Sequence, residues 1–115
     1  MKTPIFHICS EAAWHEARKT GVYEGSELDR RDGFIHFSSP EQVRQTAALH
    51  LRGIEGLVLL EVDPARLGDD LKWEISRDGA AFPHLYAALP VSAVTRTWAL
   101  PVGPDGLHAF PPDIP

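Results

Sequence analysis

One stretch decides most of the fold: Asp32-Gly33-Phe34-Ile35-His36-Phe37-Ser38-Ser39-Pro40-Glu41-Gln42-Val43. Its mainly apolar run over residues 34–37 predicts a short strand that begins after Gly33. Alternate residues of a strand point to the same side, so His36 and Ser38 share one face. The stretch therefore places a titratable ring and a hydroxyl together at the end of a strand.

The same stretch then carries the signals of a helix start. We expect Ser39 to cap the helix, Pro40 to occupy its first position and Gln42 to complete a capping box. The exposed amides and positive dipole end of such a start favour phosphate or carboxylate groups. His36, Ser38 and Ser39 thus form a candidate site for an anion or a ribose phosphate. Capping and packing by the two serines is the equal alternative.

The flanking segments predict an α+β domain. A strand is predicted at Pro4–Cys9 and a helix at Glu11–Thr20, capped by Ser10. A polar loop follows over Tyr23–Asp32, long enough to suggest a functional edge. Later strands are predicted at Leu57–Val62, Lys72–Ile75, Phe82–Ala87 and Val94–Leu100, with a turn at Asp78-Gly79. This order favours helices at one end of a mixed or antiparallel sheet, and disfavours a doubly wound parallel sheet.

Composition limits the class of protein. With 115 residues, 43% hydrophobic and 23% charged, the chain fits one domain over residues 1–115. Its proline-rich part, residues 101–115, is expected to be irregular. The net charge of -5 argues against a binder of duplex nucleic acid. A single cysteine and the lack of a long apolar run lead us to expect a cytoplasmic protein without membrane contact.

Three of the six histidines lie inside apolar strands: His7, His36 and His84. A buried imidazole needs a hydrogen-bond partner, or it faces a cleft. Each of them alone is most simply a satisfied core histidine, but three in separate strands favour a shared pocket. Glu74 stands among apolar neighbours and is the candidate carboxylate for polarising a hydroxyl. Its alternative is a strand residue that faces water.

Metal and nucleophile chemistry are weaker hypotheses. His7, Cys9 and His36 lack the short paired spacings of structural zinc sites, so no metal is expected. Cys9 is expected to be an inert buried thiol. The sequence contains no G-x-G-x-x-G, Walker A, G-x-S-x-G or H-E-x-x-H motif.

Four segments together resemble the bacterial domain-of-unknown-function family DUF952: IFHICS at 5–10, DGFIHFSSPEQV at 32–43, LVLLEVD at 57–63 and FPHLY at 82–86. The resemblance implies a fold similar to that of ADP-ribosyltransferases, including the RNA 2′-phosphotransferases that consume NAD. It implies that His7 and Ser10 lie where such enzymes hold the nicotinamide ribose. His36 and Ser38 match the motif that packs against the nicotinamide side of the cleft.

The chain also departs from those enzymes. Transferases that modify proteins need a late glutamate, whereas the late strand here carries His84 and no acid, and Glu74 comes earlier. The RNA 2′-phosphotransferases use arginines against phosphate, a role for which Arg30 and Arg31 are the candidates. Their separate basic RNA-binding region is missing.

The expected site therefore has two groups of residues. The expected catalytic residues are Glu74 and His84, and the expected cofactor-binding residues are His7, Ser10, His36, Ser38, Ser39 and Tyr86. The expected ligand is NAD, ADP-ribose or a related nucleotide. Three functions stay open: an ADP-ribosyl-type transferase, a non-catalytic small-molecule binding module, and a protein-interaction or toxin-immunity-type protein.

Overall fold

A computed structural model describes residues 3–76, 79–112 and 114. Its helices and strands are β1 (Ile5–Ser10), α1 (Glu11–Thr20), β2 (Val22–Tyr23), α2 (Glu27–Asp32), β3 (Ile35–His36), α3 (Val43–His50), β4 (Leu57–Val62), β5 (Leu71–Ile75), β6 (Ala81–Leu85), β7 (Leu89–Pro90) and β8 (Val94–Leu100). The α+β class is confirmed. The turn predicted at Asp78-Gly79 lies partly outside the described residues.

The strands form three small sheets with the orders β1-β4-β8, β2-β7 and β3-β6-β5. All of these pairs are antiparallel, so of the two predicted alternatives the mixed sheet is wrong and the antiparallel arrangement is present. Short connections such as the one between β5 and β6 allow a hairpin but no helical crossover. The chain after β3 joins the two larger sheets. Phe6 and Ser38 exchange two backbone hydrogen bonds of 2.8 Å, while the Phe37 N–H donates to the Pro83 carbonyl.

The core lies on both faces of β4, all six residues of which are buried. One face carries Val58 and Leu60 and packs with Tyr23 and α1. The other face carries Leu59 and packs with Phe6 and α3. Burial of a large apolar side chain contributes about 1.5–3 kcal/mol, so β4 and its neighbours form the rigid support of the site.

The first helix forms as the sequence predicts. The Ser10 Oγ accepts a hydrogen bond from the Ala13 N–H at 3.1 Å, which satisfies one free amide at the helix start. Gly21 ends the helix with φ 91, and its N–H donates to the Ala17 carbonyl. Glycine adopts this left-handed conformation without strain.

The third helix begins later than predicted, at Val43 and not at Pro40. Gln42 does fold back, since its Oε1 accepts from the Ser39 N–H at 2.9 Å. Its amide also donates to the Ala81 carbonyl at 2.8 Å, which fixes this turn to β6. The Ser39 carbonyl accepts from the N–H groups of Gln42 and Val43. These two amides are therefore used within the turn, and the predicted anion site at this helix start stays a prediction.

The polar loop predicted over Tyr23–Asp32 is largely structured. It contains the last residue of β2 and the helix α2, which begins with a capping box between Ser26 and Asp29. The sequence signal was the pair of residues spaced S-x-x-D, a known helix-start pattern. The described residues of the C-terminal segment, 101–112 and 114, form no helix or extended strand, and Phe110 and Ile114 pack against the core. None of the described helices has the length and apolar character needed to cross a membrane.

Candidate functional site

Strand β1 holds His7 inside the protein, with both of its ring nitrogens bonded. Nδ1 lies 2.6 Å from the His36 carbonyl oxygen, so this nitrogen carries a hydrogen and donates it. Nε2 lies 2.8 Å from the Tyr23 hydroxyl, which then donates to it. Burial lowers the pKa of His7 below its ordinary value, which agrees with a neutral ring. His7 therefore positions its neighbours, and it has no ring nitrogen left for a ligand.

Asp29 on α2 is the residue that organises this part of the site, and it is only 3% exposed. Its Oδ2 accepts from the Ser26 N–H at 2.8 Å. Its Oδ1 accepts from the His36 N–H at 3.1 Å and from the His36 Nδ1 at 2.5 Å. Burial acts to raise the pKa of Asp29, but the hydrogen bond from the His36 ring, the nearby His7 ring and the backbone hydrogen bonds from Ser26 and His36 hold it at about 2. Sequence reasoning missed Asp29 because it treated this region as a loop.

His36 on β3 is held between two carboxylates. Its Nδ1 bonds Asp29 and its Nε2 lies 3.1 Å from the Asp32 Oδ2. The hydrogen bond to Asp29 raises the pKa of His36, because the carboxylate favours the imidazolium form. The ring is 32% exposed and supplies a positive charge at the edge of the site.

His84 on β6 lies opposite His36 in the sheet register, and their ring centroids are 5.5 Å apart. Its Nδ1 donates to the Glu74 Oε1 at 2.8 Å, and the Tyr86 hydroxyl donates to the same oxygen at 2.6 Å. These hydrogen bonds, the one from Tyr86 foremost, lower the pKa of Glu74. Phe34 stacks on the His84 ring at 4.0 Å, nearly parallel to it. The ring is therefore fixed, with Nε2 left for a ligand.

The three imidazoles His7, His36 and His84 line one cleft of about 830 Å³. Most of the lining is apolar, and Ser38 adds a buried hydroxyl that lies 3.0 Å from the Thr46 hydroxyl. Among the described lining residues there is no lysine or arginine. The convergence of the histidines, which the sequence suggested, is present in the geometry.

The other expected site residues differ in whether they line this cleft. Ser10 lines it and is exposed, while its hydroxyl caps α1. Ser39, Glu74 and Tyr86 are not among the described residues of the lining. Glu74 and Tyr86 nevertheless reach the cleft indirectly, because they bond to each other and Glu74 bonds to His84. Ser39 uses its backbone N–H and carbonyl in the turn before α3, and its expected contact with a ligand stays a prediction.

The arginines considered for phosphate binding lie elsewhere. Arg30 lines a second, shallower hollow that also contains Phe34 and Tyr86. Arg31 is exposed and pairs with Asp32 at 3.3 Å. Neither arginine is among the described residues that line the main cleft.

Cys9 lines the cleft but is buried, and burial raises the pKa of its thiol to about 12. A thiol with this pKa contains almost no thiolate at neutral pH and is a poor nucleophile. Within the described part of the chain, no three histidine, cysteine or carboxylate side chains gather in a way that could hold a metal ion.

Comparison with known proteins gives a family and a fold. The family model described as "Protein of unknown function (DUF952)" matches residues 8–97. The X-ray crystal structure of protein CC0527 from Caulobacter crescentus has a TM-score of 0.90 and 51% identity, over 93% of this chain and 94% of that one. The solution NMR structure of CC0527 has a TM-score of 0.83 and 52% identity, over 92% and 91%. None of the curated proteins matches the sequence.

Proposed function

The chain belongs to the DUF952 family, and we propose that its histidine-lined cleft binds a small nucleotide-type ligand such as ADP-ribose or NAD. The observation that carries the proposal is the pair formed by Glu74 and His84. A carboxylate on Nδ1 fixes the ring, so that Nε2 meets a ligand hydroxyl in a defined direction. The 2′- and 3′-hydroxyls of a ribose can donate to such a nitrogen.

The shape and chemistry of the cleft support a small molecule. Its volume of about 830 Å³ falls within the range of ligand sites in proteins, roughly 300–1,000 Å³. Apolar walls that include Phe6, Val43 and Phe82 suit the face of a planar base or a nicotinamide ring. The hydroxyls of Ser38 and Thr46 stand beside these walls and suit a ribose or a carboxamide.

The charges predict which part of the ligand contributes most of the affinity. The described lining has no lysine or arginine, and the imidazolium of His36 is already shared between Asp29 and Asp32. A diphosphate would therefore find little compensating charge. We expect the nucleoside or nicotinamide portion to bind more strongly than the phosphates.

Two modes of action follow from the same site. In a transferase related to ADP-ribosyltransferases, the bond between nicotinamide and the ribose C1′ breaks and an acceptor hydroxyl joins C1′, giving its proton to the His84 Nε2. In a binding module, His84 only accepts a hydrogen bond. The internal bonding of His7 and of His36 favours binding without chemistry, because neither ring retains a nitrogen for an acceptor.

Titration of the purified protein with NAD, ADP-ribose and nicotinamide tests the proposal, monitored by NMR and by thermal shift. We expect saturable binding, with signals of cleft residues moving together. The variant His84→Ala should weaken binding about tenfold, the value of one good hydrogen bond of roughly 1.4 kcal/mol. His15→Ala, which changes an exposed histidine on α1, is the matched control and should bind normally.

Because His84 is buried, Glu74→Gln provides a second variant with a more exposed side chain. It should weaken binding while the melting temperature changes little. No response of any kind at millimolar NAD, ADP-ribose and nicotinamide would contradict the proposal. Where binding occurs, release of nicotinamide from NAD distinguishes a transferase from a binding module.

A further inference from the structure

Strand β5 exposes large apolar side chains at the edge of a sheet. Trp73 is 53% exposed and Ile75 is 72% exposed. β5 ends the sheet β3-β6-β5, and within the described residues it pairs with β6 alone. A sheet edge with apolar side chains and unpaired backbone groups is a template for another strand. Trp73 and Ile75 are not among the described residues that line the cleft, so their exposure requires its own explanation.

The pairing with β6 shows which backbone groups of β5 point outward. The Tyr86 N–H donates to the Asp70 carbonyl at 2.8 Å, so position 70 belongs to a hydrogen-bonded pair. Such pairs alternate along an antiparallel ladder, so even-numbered residues of β5 bond β6 and odd-numbered ones point away. Pro83, which has no N–H, lies opposite Trp73 and agrees with this register. The N–H and carbonyl groups of Leu71, Trp73 and Ile75 therefore face the open edge.

We propose that two copies of this chain pair through β5, antiparallel, with Trp73 on the two-fold axis. The strand reads Leu71-Lys72-Trp73-Glu74-Ile75, and it is complementary to itself when reversed. Lys72 faces the partner's Glu74, and Glu74 faces the partner's Lys72. Opposite charges in facing positions stabilise a strand pair, whereas like charges destabilise it. This complementarity selects a second copy over an unrelated strand.

Backbone and side chains agree on the same register. The outward-facing residues Leu71, Trp73 and Ile75 form three hydrogen-bonded pairs across the axis, with two bonds each, or about six in all. The same pairing covers Trp73 with the partner's Trp73 and Leu71 with the partner's Ile75. A single pair of strands buries less area than most stable interfaces, so the dimer should be weak and should depend on concentration.

The carboxylate of Glu74 can form the ion pair with the partner's Lys72 while it keeps its own hydrogen bonds. Within the described residues its two hydrogen bonds, from His84 and from Tyr86, both use Oε1. Its Oε2 can therefore accept from the partner's Lys72. The interface and the Glu74–His84 pair share this residue, but the dimer does not depend on whether a ligand binds the cleft.

Sedimentation over micromolar to millimolar concentrations measures the association of the full chain. We expect the mass to rise toward twice that of the single chain. Trp73→Lys, which brings two like charges to the axis, and Lys72→Glu, which places Glu opposite Glu, should each raise the dissociation constant tenfold or more. Leu49→Lys and Lys19→Glu introduce the same side chains at exposed positions on α3 and α1, and these variants should associate as the unmodified chain does.

A cysteine at the axis tests the register. Trp73→Cys should form a disulfide-linked dimer under mild oxidation, because facing Cα atoms in a hydrogen-bonded pair lie about 5.5 Å apart. Leu49→Cys should link far more slowly, and the buried Cys9 should not react. A monomer at all concentrations, or equal rates of linkage at positions 73 and 49, would overturn the proposal.

Discussion

Replacing Asp29 with asparagine removes the charge that holds His36, and it leaves the shape of the side chain nearly unchanged. Asparagine can still accept from the Ser26 N–H, so the start of α2 is kept. The pKa of Asp29 is about 2, compared with an ordinary value of 3.8. This difference corresponds to about 2 kcal/mol of stability, because one pKa unit is worth roughly 1.4 kcal/mol. We expect Asp29→Asn to lower the free energy of unfolding by about that amount near pH 5 to 6.

The pH dependence follows from the directions of the two pKa shifts. The pKa of Asp29 is lowered, so its stabilising contribution is complete above about pH 4 and is lost as the pH falls from 3.8 through about 2. The pKa of His36 is raised, so its contribution is complete below 6.5 and is lost as the pH rises through the folded value. Both shifts report one interaction and are not added together. The effect of the substitution should be largest between about pH 4 and 6.5.

Urea unfolding of the original chain and of Asp29→Asn, repeated from pH 2.5 to 8, measures this difference. Asp32→Asn is the matched control, because Asp32 pairs with the same ring at 3.1 Å but is about one-third exposed. An exposed pair contributes less than roughly 1 kcal/mol, so the control should change stability less. The reasoning fails if Asp29→Asn costs the same at pH 2.5 as at pH 5.5, or less than Asp32→Asn.

Three further predictions concern residues around the cleft. Tyr23→Phe removes the hydroxyl that donates to the His7 Nε2 and leaves this buried acceptor without a partner. Urea unfolding should show a loss of stability of about 1–3 kcal/mol, and no loss would contradict the assigned hydrogen bond. Gly25→Ala should lower the melting temperature more than Gly21→Ala does. Both glycines have a positive φ, but only at Gly25 would the new Cβ lie 2.7 Å from the Asp29 Cβ, so equal losses of stability would contradict this reasoning. The Cys9 thiol should react with iodoacetamide at pH 8 only as fast as the chain opens, because burial raises its pKa to about 12; fast labelling of the folded chain would be inconsistent with that burial.

Local signals in the sequence accounted for much of the fold. Ser10 and Gly21 mark the ends of α1, and the apolar run of β4 marks a buried central strand, because these elements depend on nearby residues. The start of α3 was predicted too early. The amide of Gln42 bonds the carbonyl of Ala81, a contact across the chain that no local pattern contains.

The residue types of the site could be predicted from the sequence, but the hydrogen bonds and ion pairs between them could not. Polar rings in apolar strands indicated that His7, His36 and His84 share a pocket. The pairing of these rings with carboxylates depends on contacts between distant segments: Asp29 on α2 meets His36 on β3, and the register of β5 with β6 brings Glu74 to His84. Asp29 was missed because its capping box lies in a segment that composition alone describes as a polar loop.

The most direct test of the proposed function is the response of the histidine ring nitrogens to a ligand. Long-range ¹H–¹⁵N spectra of the labelled protein, recorded with and without ADP-ribose or NAD, follow each ring separately. We predict that the Nε2 signal of His84 moves on saturation, while both nitrogens of His7 keep their positions because each is already bonded inside the protein. Unchanged His84 signals at millimolar ligand, or a shift of His7 alone, would contradict the assignment of the ligand contact.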